Sequence, residues 1–309
     1  MNAAFRIASF IGLILISTTS CVKLIDIPAE AFRSEVVVRG TLNPDSLLTV
    51  RLSYSLRPDT IIKYRPINEA RVLFYENDVL IGNLTKAQNG LFQLNYRPVR
   101  GRKYGIKVQV ANRAEITSED VVPPKPTTGL VKLNNNPANP NNNHDLELRF
   151  RGSTSNHWFS AYVPRIINLR ELDLNGQPKK FPTVFYLNIL SNSPYLDRFN
   201  SFFDGLSGRY AFGDPVRVDM QLYKLTSNAY IDFSYVNQVR KDEQAFVYVY
   251  TMSDAYDSYL KSAINAYQNR LFDSSGAISN PFAEPTPVYS NIKNGLGIWA
   301  AYSIERISL

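Results

Sequence analysis

Cysteine and histidine are scarce in this 309-residue chain: one Cys, at position 21, and two His, at 144 and 157. A single cysteine excludes an internal disulfide framework and any multi-cysteine metal site. Two histidines leave little material for a zinc centre or a Ser-His-Asp triad. The sequence contains no HExxH, CxxC, GxSxG or GxxxxGK[ST] pattern, so none of the short motifs with a known catalytic mechanism is available. No cofactor and no metal are expected. Beyond residue 20 there is no apolar run of about 18 residues, the length a membrane-spanning helix needs. What the chain has in quantity is aromatic side chains, 19 Tyr and 17 Phe against 15 Gly, which suit pleated, half-buried surfaces and point to β-structure. A hydrophobic share of 44% with 20% charged residues is ordinary globular composition, which excludes disorder and collagen-like folds. At about 150 residues per domain the length suggests two domains.

The N-terminus points to export. Residues 1–20 read MNAAFRIASFIGLILISTTS, with Arg6 the only charge, an apolar stretch from Ile7 to Ile16, and then Ser17, Thr18, Thr19 and Ser20 before Cys21. This is the order of a secretory signal, and its apolar part is too short to serve as a stable anchor. Cys21 stands where cleavage would occur. Here the chain resembles bacterial lipoproteins, in which that cysteine becomes the first mature residue and carries acyl chains. The usual Leu three positions earlier is Thr18, and Bacteroidota lipoproteins often have this looser, Ser-rich form. Each buried methylene adds about 0.8 kcal/mol, so two or three chains hold firmly where one holds weakly. The expectation is a signal peptide over 1–20, lipidation at Cys21 and a tether over 21–34.

From residue 35 the pattern is of short strands punctuated by turns: 35–41, 48–54, 70–76, 79–85, 90–95, 104–111 and 114–121. Seven strands at this spacing predict an N-terminal β-sandwich, immunoglobulin-like or transthyretin-like, over 35–122. Asn77-Asp78 and Asn89-Gly90 are turn-prone because Asn and Gly tolerate positive φ. Tyr104, Ile106, Val108 and Val110 share one strand face, with Gly105, Lys107 and Gln109 on the other. A proline-rich stretch, 123–129, is the predicted linker. Asn134–Asp145 holds seven Asn in twelve positions and is expected to be a loop. The second domain, 130–309, is expected to be β-rich, with strands at 130–133, 145–151, 157–163, 183–190, 216–224, 228–236, 244–251 and near 296–307. It carries one amphipathic helix over 254–272, with Ser253 as N-cap.

Few residues suggest chemistry. Gly295-Leu296-Gly297-Ile298-Trp299-Ala300 fits the dinucleotide pattern, but only nine residues follow it, so the expected acid about 20 residues on has no room. Those glycines are expected to permit a close backbone approach before the last strand. Glu171 and Asp173 would share a strand face, the one arrangement here that evokes a polysaccharide-acting enzyme. His157-Trp158 is expected to be a packed aromatic edge, and His144 sits in the Asn-rich loop. Residues 21–126 carry 16 Lys and Arg against 11 Asp and Glu. Part of the excess is a cluster, Arg97, Arg100, Arg102 and Lys103, in one hairpin loop. Basic loops bind phosphate groups. Export argues against nucleic acid and leaves anionic headgroups, lipopolysaccharide or an acidic partner.

The closing segment is the most distinctive stretch: Asn280-Pro281-Phe282, Ser290-Asn291-Ile292 and Gly295-Leu296-Gly297-Ile298. With 36–42, 50–55, 66–76, 90–94 and 104–110, it resembles the Bacteroidota lipoprotein family called domain of unknown function four-two-four-nine. That family has no settled activity and no catalytic residues to carry over. The resemblance implies an outer-membrane lipoprotein, often encoded beside TonB-dependent receptors, and hence an accessory role in nutrient capture docked to a receptor barrel. The expectation is therefore binding rather than catalysis. A surface structural or adhesion module is the alternative, and a carboxylate enzyme the minor one. The aromatic closing segment is expected to be an ordered coil folded over the sheet, feeding the last strand.

Overall fold

A computed structural model describes residues 32–57, 64–126, 128–135, 144–150, 156–172, 177–186, 189–190, 223–224, 231–235, 244, 246–269 and 286–308. The chain divides into Met1–Ser34 and a compact unit Glu35–Leu309. The signal, Cys21 and most of the tether lie outside the described residues. So do the middle of the Asn-rich stretch, Asp173 and the start of the closing segment. Among the described residues no helix is long and apolar enough to cross a membrane.

The fold is mainly β. The seven strands expected before residue 122 are all present: β1 Val36–Leu42, β2 Leu48–Tyr54, β3 Arg71–Glu76, β4 Val79–Gln88, β5 Leu91–Leu94, β6 Lys103–Gln109 and β7 Ile116–Val121. Positive φ at Asn77, Asp78, Asn89 and Gly90 makes the tight turns between β3 and β4 and between β4 and β5. Alternation fixes which face is buried. In β1, Val36, Val38 and Leu42 are buried; in β6, so are Tyr104, Ile106 and Val108. These side chains join Leu48, Val50, Leu52, Val72, Phe74 and Phe92 in one core. The adjacent strand order is β1-β2-β5-β4-β3-β6-β7. The long β4 pairs with β3 along one part and with β5 along another, so it joins β1, β2 and β5 to β3, β6 and β7.

The remaining elements are β8 Thr128–Asn135, β9 His144–Phe150, β10 Asn156–Leu172, β11 Pro178–Tyr186, β12 Ile189–Leu190, β13 Tyr223–Lys224, β14 Ile231–Tyr235, β15 Phe246–Met252, α1 Asp254–Gln268 and β16 Leu296–Ser308. The strand expected at 157–163 runs on to residue 172, and the one expected at 183–190 is two pieces, β11 and β12. Strands β8, β9, β12 and β14 form a separate four-stranded sheet.

The last strand, β16, reaches back to the first. It lies parallel to β1, with Gly40 opposite Trp299, and antiparallel to β15. One sheet therefore continues from β11 and β10 through β15 and β16 into β1. Because side chains alternate along β16, it serves two cores. Trp299 and Ala301 enter the core of β1–β7, and Ile298 and Ala300 enter a second core. That second core holds Trp158, Tyr250 and Met252 with Tyr256, Leu260 and Ile264 of α1. The helix begins where expected. The Ser253 side chain accepts from Tyr256 N, satisfying one of the free amides of the first turn. It ends at Gln268, with Asn269 as C-cap, four residues before the expected end. Trp158 Nε1 donates to Asp257 Oδ1 at 2.9 Å and Lys261 pairs with the same carboxylate at 2.7 Å, which fixes the helix to the sheet.

Candidate ligand-binding site

The basic cluster sits at the end of these strands where β1 finishes, and the structure pairs most of it with acids. Arg102 is ion-paired with Glu76, Arg100 lies 3.5 Å from Asp45, and Lys103 lies 2.9 Å from Asp78 and 3.5 Å from Glu119. Arg97 is exposed. Behind Arg102, Glu76 also accepts hydrogen bonds from the Tyr96 and Tyr104 hydroxyls. Tyr104 in turn accepts from Val99 N at 2.7 Å. Burial pulls the Glu76 carboxyl upward, but hydrogen bonds from Tyr96, Arg102 and Tyr104, with the charge of Arg102, hold it below the usual range. Burial and the bond to Glu76 push the Tyr96 hydroxyl far above its ordinary value. Three of the four basic residues are thus neutralised in place. Such surface pairs stabilise only weakly; their effect is to fix the loop geometry.

Next to this network the sheet has a gap one side chain wide. Tyr75 of β3, Gly105 of β6 and Glu119 of β7 stand in one cross-strand row. Glycine in the middle of that row leaves an open depression of about 260 Å³, lined by Tyr75, Asp78, Lys107, Thr117 and Glu119 around Gly105. Lys103 and Lys107 lie two residues either side of Gly105 on the same face. Lys103 Nζ reaches Asp78 and Glu119, and Lys107 Nζ lies 5.2 Å from the centre of the Tyr75 ring. A Cβ built on Gly105 would meet Tyr75 Cβ at 3.7 Å and Ser118 O at 3.8 Å, both ordinary contacts. Gly105 is not among the positive-φ residues. Nothing in the backbone requires glycine here, although glycine weakens a strand interior. The opening itself is what the glycine provides. Sequence reasoning placed Gly105 on the outer face and missed the depression; the available signal was a glycine interrupting an otherwise regular strand.

The other sequence candidates fall elsewhere. Glu171 lies near the end of β10, and Asp173 is outside the described residues. His157 is buried, with Nδ1 3.4 Å from Thr251 Oγ1; it sits on β10 beside the fully buried Trp158. His144 is the first residue of β9. Among the described residues no group of three or more His, Cys, Asp or Glu is placed to hold a metal ion. The GxGxxA segment leads into a strand rather than a helix, so it is no phosphate cradle. Instead Gly297, at φ 111°, lets its backbone approach β1 so closely that a Cβ would lie 2.0 Å from Val38 O.

Residues 22–308 match the family described as Domain of unknown function (DUF4249). The chain belongs to this family. No curated protein matches it. A crystal structure of a Salmonella alpha-2-macroglobulin mutant is similar at a TM-score of 0.23 and 8% identity, over 72% of this chain and 14% of that one.

The closing segment through which the family resemblance was drawn has a clear structural part. Asn291 presents its side chain to β16 as a strand would, accepting from Trp299 N at 3.0 Å and donating to Trp299 O. Its own carbonyl accepts from Ser118 Oγ on β7. Lys293 pairs with Thr117 in both directions, and Asn294 donates to Glu115 O. Residues 291–294 therefore cover the outer edge of β7, an edge that would otherwise invite pairing with another chain.

Proposed function

We propose that this chain is a lipid-anchored outer-membrane binding protein that docks to a TonB-dependent transporter and assists nutrient capture. Support comes from the export-signal order ending at Cys21, the compact unit beginning only at Glu35, and the family resemblance to lipoproteins encoded beside such receptors. The observation that carries the docking step is at the end of the sandwich reached by β1. There the loops at 43–47, 77–79, 97–103 and 121–122 are bound to one another. Arg100 pairs with Asp45, Asn77 N donates to Lys103 O, and Val122 N donates to Arg102 O. From this fixed frame Leu47, Val79, Leu80, Val99 and Val121 project with 44 to 65% of their surface exposed. Single exposed apolar residues need no explanation, but a clustered set on rigid loops marks an interaction surface. It lies at the end of the strands opposite the start of β1.

Two measurements test this. Cys21→Ser should move the protein from the membrane fraction to the soluble envelope fraction and abolish incorporation of labelled fatty acid. Purification of the wild type from native membranes in gentle detergent should recover a barrel partner, and Val79→Glu with Leu80→Glu should lose that partner without a fall in melting temperature. Repeated recovery of the wild type as a lone monomer would overturn the docking reading.

A further inference from the structure

We propose that the depression over Gly105 is a binding site for a single ring of a neutral saccharide. The argument starts from the missing side chain. A glycine in the central strand of β3-β6-β7 sacrifices strand propensity, yet neither φ nor crowding demands it. The space it opens, about 260 Å³, lies just below the range of about 300–1,000 Å³ that accommodates drug-sized ligands, a scale that suits one sugar ring.

The lining decides the chemistry. Tyr75 supplies one aromatic wall. The Lys107 ammonium stands over its ring at 5.2 Å, and the C–H face of a pyranose packs on the part of the ring beside it, where an aromatic side chain offers flat contact area at little entropic cost. Polar groups surround it: the Asp78 and Glu119 carboxylates, both paired with Lys103, the Lys107 ammonium, which pairs with Glu115, and the Thr117 hydroxyl. Each of these charges already has a partner of opposite sign, so none stands ready to recruit an anion or a cation. A ligand dense in hydroxyls, each both donor and acceptor, satisfies every one of these groups without leaving a charge unpaired. A phosphate or an acidic peptide would have to displace the existing pairs. The inference deepens the nutrient-capture reading by naming a ligand class. The two fail separately, since saccharide binding is measured on the purified chain and docking on the native membrane complex.

The test uses the full chain purified in a sugar-free detergent. The probes are glucose, galactose, mannose, N-acetylglucosamine and their disaccharides, with glucuronate and glucose 6-phosphate as anionic counterparts. Binding is read by saturation-transfer NMR and calorimetric titration. At least one neutral sugar should bind with a Kd of about 1 mM or tighter, and its anionic counterpart more weakly. Gly105→Val, which fills the floor, and Tyr75→Ala should each weaken binding at least tenfold. Glu119→Ala, at an exposed position, should do likewise with an unchanged melting temperature and stands in if Gly105→Val does not fold. The proposal is overturned if no neutral probe binds below about 50 mM, if anionic sugars bind better than neutral ones, or if binding survives within twofold in the folded variants.

Discussion

At the scale of single residues, Trp299 shows how one side chain sets its neighbours. Its indole is fully buried, donates from Nε1 to Tyr104 O at 3.1 Å, and meets the Phe74 ring edge-on. Gly40 lies beneath it, and a Cβ there would come within 2.6 Å of the indole. Trp299→Ala should therefore destabilise the body by about 3–5 kcal/mol, through lost burial and the cavity left behind. Chemical denaturation measures this directly; a fully stable variant that lost a ligand would instead make the closing segment a recognition element. Asp120 makes a different prediction. It is half-buried, accepts from Ala301 N at 2.7 Å and from Val121 N, and sits by Ser253 and Asp254. Burial raises its carboxyl to about 6, from an ordinary 3.8, despite the hydrogen bonds from Ser253, Val121 and Ala301 that oppose the rise. The folded state then binds this proton more tightly than the unfolded one. Its stabilisation is complete below about pH 4 and is lost as pH rises through about 6. Going from pH 7 to 5 should gain about 1.3 kcal/mol from this group, and Asp120→Asn should flatten that part of the profile. Glu76 has the opposite sign: its lowered value gives stability that is present above about 4.5 and lost on further acidification. Melting curves across pH 3–8 for the wild type and Asp120→Asn separate the two.

At the scale of elements, local pattern was a good guide where the structure is local. The strand at 48–54 occurs at the expected residues, and the turns at Asn77-Asp78 and Asn89-Gly90 have the positive φ their side chains tolerate. The helix starts at its Ser253 cap, since the cap and the apolar stripe of Tyr256, Leu260 and Ile264 are encoded within a few residues of one another. Its end was less legible. The apolar pattern runs on to Leu271, but the last intrahelical bond is made by Asn269, whose N–H donates to Asn265 O. The length of β10 was not legible because Pro164 and Arg165 follow directly on the expected end at Val163, whereas pairing with β11 runs through both and on past a register shift after Asn168. The basic loop was legible as a cluster of charge. Its partners Asp45, Glu76, Asp78 and Glu119 come from three other parts of the chain, so its neutralisation was not. The Gly105 depression was hidden for the same reason, because Tyr75 and Glu119 meet only through strand pairing.

At the scale of the whole molecule, what the sequence conceals is the return of β16 to β1. Nothing local marks a parallel pairing between residues 36–42 and 296–301, and the composition shift near residue 123 suggests instead that the first seven strands are self-contained. In the structure the Pro-rich stretch runs beside the last strand. Ser303 Oγ donates to Pro123 O at 2.7 Å, and Lys125 pairs with Glu305 at 3.3 Å. Without residues 291–294 and β16, β1 would expose an unpaired edge, the Trp299 site would be an open cavity beside Gly40, and the outer edge of β7 would lose its cover. The central claim is that the closing segment completes the fold around which the binding surfaces are built. Its most direct test is the unfolding of residues 35–126 expressed alone, compared with the full chain. The account predicts no cooperative unfolding transition for the fragment. A fragment that unfolds in a single sharp transition, with the stability these strands have in the full chain, would contradict it.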